Sequence, residues 1–138
     1  MINSDYRYTN IYSDINDLGL NLSSTYIYSY SVENRSKIVN VLKGKYSTNI
    51  TFVELELLDS DKDIIIDKSS NVRYSLRSKN SIKSLIEIYK NKTIYVDISG
   101  LNNRVSAALL NNLLGDRTYA DIDVRVVYAE PESYKIKI

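Results

Sequence analysis

The chain has no cysteine and no histidine, one proline and four glycines in 138 residues. Without cysteine there are no disulfides, no thiolate metal sites and no cysteine nucleophile. Without histidine there is no imidazole base, no serine–histidine pair and no histidine-ligated metal. Any catalysis would rest on carboxylates, tyrosine, lysine, arginine or hydroxyls, and we expect no resident metal or cofactor. No apolar run approaches the roughly 18 residues of a membrane span. The opening MINSDYRYTN lacks the basic-then-apolar pattern of a signal peptide. The expectation is a cytoplasmic protein with no membrane partner. An excess of one charge is also missing: 18 Lys and Arg stand against 17 Asp and Glu. Composition therefore makes no electrostatic case for duplex nucleic acid.

What is present suits a globular fold. A hydrophobic share of 43% and a charged share of 25% are ordinary for one, and the length predicts a single domain over 1–138. Thirteen tyrosines, with abundant Asn, Ile, Lys and Ser, admit a base-stacking surface. An AT-rich coding sequence is the plainer explanation.

Residues 1–22 are polar and tyrosine-rich with no sustained period, an arm or an early strand-turn unit. Thr25–Ser31 alternates with tyrosine on one face and predicts a strand. Helical spacing follows at Ile38, Val41 and Leu42, with Ser31 as N-cap and Gly44 as stop. Ile50–Leu58 is a strand with Val53, Leu55 and Leu57 on one face and Glu54 and Glu56 on the other. Such alternation predicts a water-facing side, as on an edge or antiparallel strand. Asp59–Asp63 reads as a turn, Ile64–Ile66 as the return of a hairpin, and 68–80 as loop with an extended piece near Val72–Leu76. Ile82, Leu85, Ile86 and Tyr89 mark one face of a helix over Ser81–Tyr89. Thr93–Ile98 is a buried strand. Leu101, Val105, Ala108, Leu109 and Leu113 form the stripe of a helix over Asn102–Leu114, widened by Leu110 and Leu114 and ended by Gly115. Ile122–Tyr128 is the next strand, Pro131 a turn, and Tyr134, Ile136 and Ile138 a last strand. Strands alternating with helices imply βαβ crossovers. The predicted fold is α/β: a Rossmann-like three-layer sandwich with a mainly parallel sheet and an antiparallel edge hairpin.

Parallel strands point their carboxyl ends one way, and ligands collect there. The junction Ser29–Ser36 brings hydroxyls, Glu33 and Arg35 to the first turn of a helix. The junction Asp97–Arg104 delivers Asp97 and Ser99 at a strand end, Gly100 for a close turn, and Asn102 and Asn103 as helix caps. A helix start with Arg104 beside it is a ready anion site. Glu130 follows a third strand. The candidate ligand-binding set is Ser31, Arg35, Asp97, Ser99, Gly100, Asn102, Asn103, Arg104 and Glu130; no residue is assigned as catalytic. Arg35 and Arg104 would grip phosphate, or lie solvated, or pair with Glu33 or Asp97. Asp97 would cap its turn or touch a ribose or base. Glu130 would be a catalytic carboxylate or, more plainly, a turn residue. There is no phosphate-binding loop with its lysine and no GxGxxG. Asp59, Asp61 and Asp63 alternate like a calcium loop but lack its glycine and final glutamate, so a solvated turn is expected.

The segment VDISGLNNRVSAALL resembles the strand-turn-helix motif of CARF-type Rossmann domains, sensors of cyclic oligonucleotides in prokaryotic antiviral systems. Ser99 stands where threonine is usual, Leu101 replaces a second glycine, and Arg104 takes the lysine's place. The resemblance implies a nucleotide or cyclic oligonucleotide ligand bound across a homodimer, or an effector partner chain. YIYSYSVENRSKIVNVL is similar to the opening of a TIR domain. Enzymatic TIR domains cleave NAD with a glutamate in a later helix, and Asn102–Leu114 contains no Glu or Asp. The leading expectation is a non-catalytic nucleotide-sensing or ligand-binding domain in antiviral defence. The alternatives are a TIR-like nucleotide or NAD hydrolase and a small interaction subunit without a ligand.

Overall fold

A computed structural model of the chain describes residues 11–12, 18–31, 34–130 and 136–137, with side chains over 18–31 and 36–130. Two short strands fill the middle of the sheet because nothing in them needs water. Strand β2 (Ser24–Tyr28, after a short β1, Ile11–Tyr12) and the later TIYVD strand bury every residue. A 3-10 turn over Asn34–Ile38 runs into α1 (Val39–Tyr46), followed by β3 (Ile50–Leu58), β4 (Asp61–Asp67) and β5 (Arg73–Ser75). Then come α2 (Lys79–Tyr89), β6 (Thr93–Asp97), α3 (Asn103–Gly115), β7 (Asp123–Ala129) and β8 (Ile136–Lys137). One eight-stranded sheet has the order β1-β8-β7-β6-β2-β3-β4-β5. Pairs β3–β2, β2–β6 and β6–β7 are parallel; β4 and β5 add antiparallel on one flank, β8 and β1 on the other. The α/β class holds, and antiparallel strands extend both sides of the parallel centre.

The period of two in each strand sorts side chains between two cores. Ile27, Val53, Ile94 and Val96 pack with Ile82, Leu85 and Ile86 of α2 and Val105, Leu109 and Leu113 of α3. Tyr26, Tyr28, Ile50 and Tyr95 pack with Val39 and Leu42 of α1. Helix α2 starts where the Ser78 side chain accepts from the Ser81 amide at 3.1 Å. Among the described residues no helix is long and apolar enough to cross a membrane.

Three local expectations are corrected. Ser31 does not cap α1: the chain is already helical at Ile38, with no side-chain cap, because the 3-10 turn feeds directly into it. The helix passes Gly44 and reaches Tyr46, whose ring packs on the α1-side core while its hydroxyl accepts from the Leu20 amide at 3.1 Å. Val41 faces outward, and Val39 and Leu42 are the buried pair. Strand β3 is not an edge strand; β2 pairs with it on one side and β4 on the other. Its alternation has another cause. The eight-residue α1 covers Ile50 and Phe52 but leaves Glu54 and Glu56 beyond its reach. Pro131 lies outside the described residues, as do most of 1–22.

Candidate functional site

The chain leaves β2 through α1 to β3 on one side, then returns to β6 on the other. The direction of winding therefore reverses between β2 and β6, and open α/β sheets bind ligands at such a reversal. Here the two strand-to-helix junctions meet. A Cβ on Gly100 would stand 1.7 Å from the Ser29 carbonyl oxygen and 3.0 Å from Ser36 Cβ. Glycine is required by this close approach, since its φ is not positive. The Ser36 hydroxyl, in turn, accepts from the Ser31 amide at 2.9 Å and donates to the Ser31 carbonyl at 3.2 Å.

Asp97 and Ser99 build this edge. Asp97 shares the α1-side face with Tyr95, opposite Val96, and is 1% exposed. One carboxylate oxygen accepts from the Tyr26 hydroxyl at 2.6 Å, the other from the Ser99 amide at 2.9 Å. Burial first, then the Asp97 charge, holds the Tyr26 hydroxyl well above its ordinary ionisation range, so it remains the donor. The Ser99 hydroxyl accepts from the Ala129 amide at 2.9 Å. These bonds tie the carboxyl ends of β2, β6 and β7 together.

Beside this knot lies a cleft of about 330 Å³. It exists because β3 outruns its neighbour: pairing with β2 ends at Tyr28 against Glu54, and β3 continues to Leu58. Leu55, Leu57 and Ile65 form the floor. Gly100, Leu101 and Val105 form the wall at the start of α3. Ser29, Tyr30, Glu56, Asp59 and Asn102 stand at the rim. The Tyr30 hydroxyl donates to the Asn40 side chain at 2.5 Å, and its ring meets Tyr28 edge-on at 5.3 Å. Glu56 pairs with Lys68 at 2.7 Å.

Of the nine residues expected to bind, Gly100 and Asn102 line this cleft. Asn102 caps α3, its side chain accepting from the Val105 amide at 2.9 Å. Arg104, the second residue of α3, reaches not Asp97 but Asp63 of β4, which also holds Arg77 at 2.5 Å. Asp97, Ser99, Ser31, Asn103 and Glu130 lie outside the lining. For Asp97 the reason is the strand's alternation, which aims it at the α1 side while the cleft floor belongs to the other core. Arg35 sits in the 3-10 turn, and its side chain, like Glu33, lies outside the described residues. Of the aspartates at 59–63 only Asp59 stands in the turn, which ends at Ser60. Asp61 and Asp63 open β4, where the Asp61 carboxylate accepts from the Asp63 amide at 2.9 Å and Asp63 is held by Arg77 and Arg104 instead of being solvated. Among the described residues no three acidic side chains gather to hold a metal.

Sequence reasoning missed the contribution of β3 and β4. Leu55, Leu57 and Ile65 read simply as sheet core, and Asp59 as a turn. The available signal was that a parallel strand's carboxyl end belongs to the ligand edge; reading β3 as an edge or antiparallel strand hid its parallel pairing with β2.

No family model matches the chain, and no curated protein does. Among solved structures the chain is similar to a GDP-L-fucose synthetase from Naegleria fowleri, with 18% identity and a TM-score of 0.38. The match covers 71% of this chain and 28% of that one. So slight a likeness carries no argument about the site, which rests on its own geometry.

Proposed function

We propose that this chain is a nucleotide-binding domain without catalysis of its own, with its ligand in the cleft at the carboxyl ends of β2 and β3. Position carries the reading: the cleft opens at the reversal between β2 and β6 and against the start of α3. Its make-up agrees, since an apolar floor under a few polar groups is how small-molecule sites are built. A sensing role in antiviral defence is the part supported by the CARF-like stretch Val96–Leu110. A TIR-like hydrolase would need a carboxylate on the helix after β6, and α3, NRVSAALLNNLLG, has none.

A thermal-shift panel of nucleosides, mononucleotides, NAD and cyclic oligonucleotides tests this. A ligand at a hundredfold excess over its Kd adds about 2.7 kcal/mol, which for a domain of this length is an upward shift on the order of 10 °C. The ligand should be recovered intact by chromatography. Turnover of NAD or a cyclic nucleotide would replace this reading with the hydrolase. A flat response across the panel would leave an interaction subunit.

A further inference from the structure

The size and charge of the cleft narrow what enters it. We infer that the cleft takes the base-and-sugar end of a ribonucleoside, reads the sugar hydroxyls through Asp59, and leaves phosphate outside. This inference rests on the nucleotide-binding reading. A volume of about 330 Å³ lies at the low end of the roughly 300–1,000 Å³ typical of ligand pockets. One nucleoside unit fits that space better than a dinucleotide. The floor of Leu55, Leu57 and Ile65 is apolar and suits a planar ring. Tyr30 beside it is held at its hydroxyl by Asn40 and at its ring by Tyr28, so it loses little freedom when a ligand arrives.

Charge excludes the phosphate. Among the described residues no lysine or arginine lines the cleft; its charged residues there are Glu56 and Asp59. Lys68 balances Glu56 at 2.7 Å. Arg104 is engaged by Asp63, and lies outside the lining. The helix start offers less than its dipole suggests, because the Val105 amide is bonded to the Asn102 side chain and the Ser106 amide to the Asn102 carbonyl. Among the described residues a phosphate here would face a carboxylate without a lining cation. A ribose hydroxyl donates to the same carboxylate, and a hydrogen bond to a charged acceptor is among the stronger kind.

Calorimetry on the full chain tests this with adenosine, guanosine, cytidine and uridine, each against its 2′-deoxy form and its 5′-monophosphate. At least one ribonucleoside should bind as tightly as its monophosphate or more tightly. Its deoxy form should lose roughly tenfold or more in affinity. Asp59→Asn, on an exposed turn, should keep the melting temperature and erase the ribose-over-deoxyribose preference. Arg104→Ala should leave the nucleoside-to-monophosphate ratio unchanged. Monophosphates binding tenfold tighter than nucleosides, or a ribose preference that survives Asp59→Asn, would overturn this inference and leave nucleotide binding intact. Silence from every nucleoside and every nucleotide would overturn both.

Discussion

Gly100 decides whether the ends of β2 and β6 can touch. The first atom of any side chain there would overlap the Ser29 carbonyl, a backbone atom that no rotamer change can move. Inserting a methyl group into packed structure costs about 1–3 kcal/mol, and more where backbone must shift. Gly100→Ala should therefore lower stability to urea by at least that amount; a loss well under 1 kcal/mol would mean that the Ser29 loop yields freely. Asp97, three residues earlier, takes the first of its two expected roles, capping its own turn. It stands at the ligand edge, as expected of a strand-end carboxylate, yet its two oxygens serve Tyr26 and the Ser99 amide. A buried carboxylate must be satisfied by donors, and the tyrosine of the neighbouring strand supplies one.

At the scale of elements, α2 ends in a clamp. The Tyr89 hydroxyl donates to Asp67, a fully buried residue of β4, and the Tyr89 carbonyl accepts from Thr25 of β2 at 2.6 Å. Asp67 also accepts from the Ser69 amide and the Ser70 hydroxyl, each at 3.0 Å. Burial, and then the bond to Asp67, pushes the Tyr89 hydroxyl up to about 12. An unfolded tyrosine ionises near 10. The folded state thus holds this proton more tightly, and its contribution is fully present below about pH 10 and lost as pH rises towards 12. Urea midpoints measured between pH 10 and 12 should fall less steeply for Tyr89→Phe than for the parent; equal slopes would remove the clamp from the account. With neither histidine nor cysteine, no side chain has an ordinary pKa between about 5 and 8, so the alkaline fall should follow a flat neutral range.

Across the whole molecule, we propose that two copies pair through apolar side chains that α2 and α3 leave exposed. Leu110, expected to widen the apolar arc of α3, packs against the core. Leu114 is 70% exposed at the end of the same helix, and Ile88 of α2 is 61% exposed. Exposed apolar side chains of this kind mark interfaces when they cluster, and two-fold dimers are the commonest closed assembly. Light scattering at micromolar concentration should report a dimer, and Leu114→Lys should give a folded monomer. A monomeric parent chain would assign Leu114 no such role.

What the sequence determined by itself is local. Strand β3 runs over Ile50–Leu58 as its alternation predicts, and Asn102 caps α3. Of the faces their spacing selects, α2 buries Ile82, Leu85 and Ile86 and α3 buries Val105, Leu109 and Leu113, while Leu114 of the wider arc is exposed. Periodicity and capping are settled within a few residues, so they are legible in one chain. Tertiary structure decided which strands became neighbours, and with that the site. It put β3 inside the sheet, ran it past β2 to open the cleft, and gave Arg104 to Asp63, distant along the chain. Glu54 and Glu56 look like an edge pattern because α1 is short, a fact about another element. The charge of a pocket is the sum of side chains from separate segments, and only their assembly shows which cations are already held.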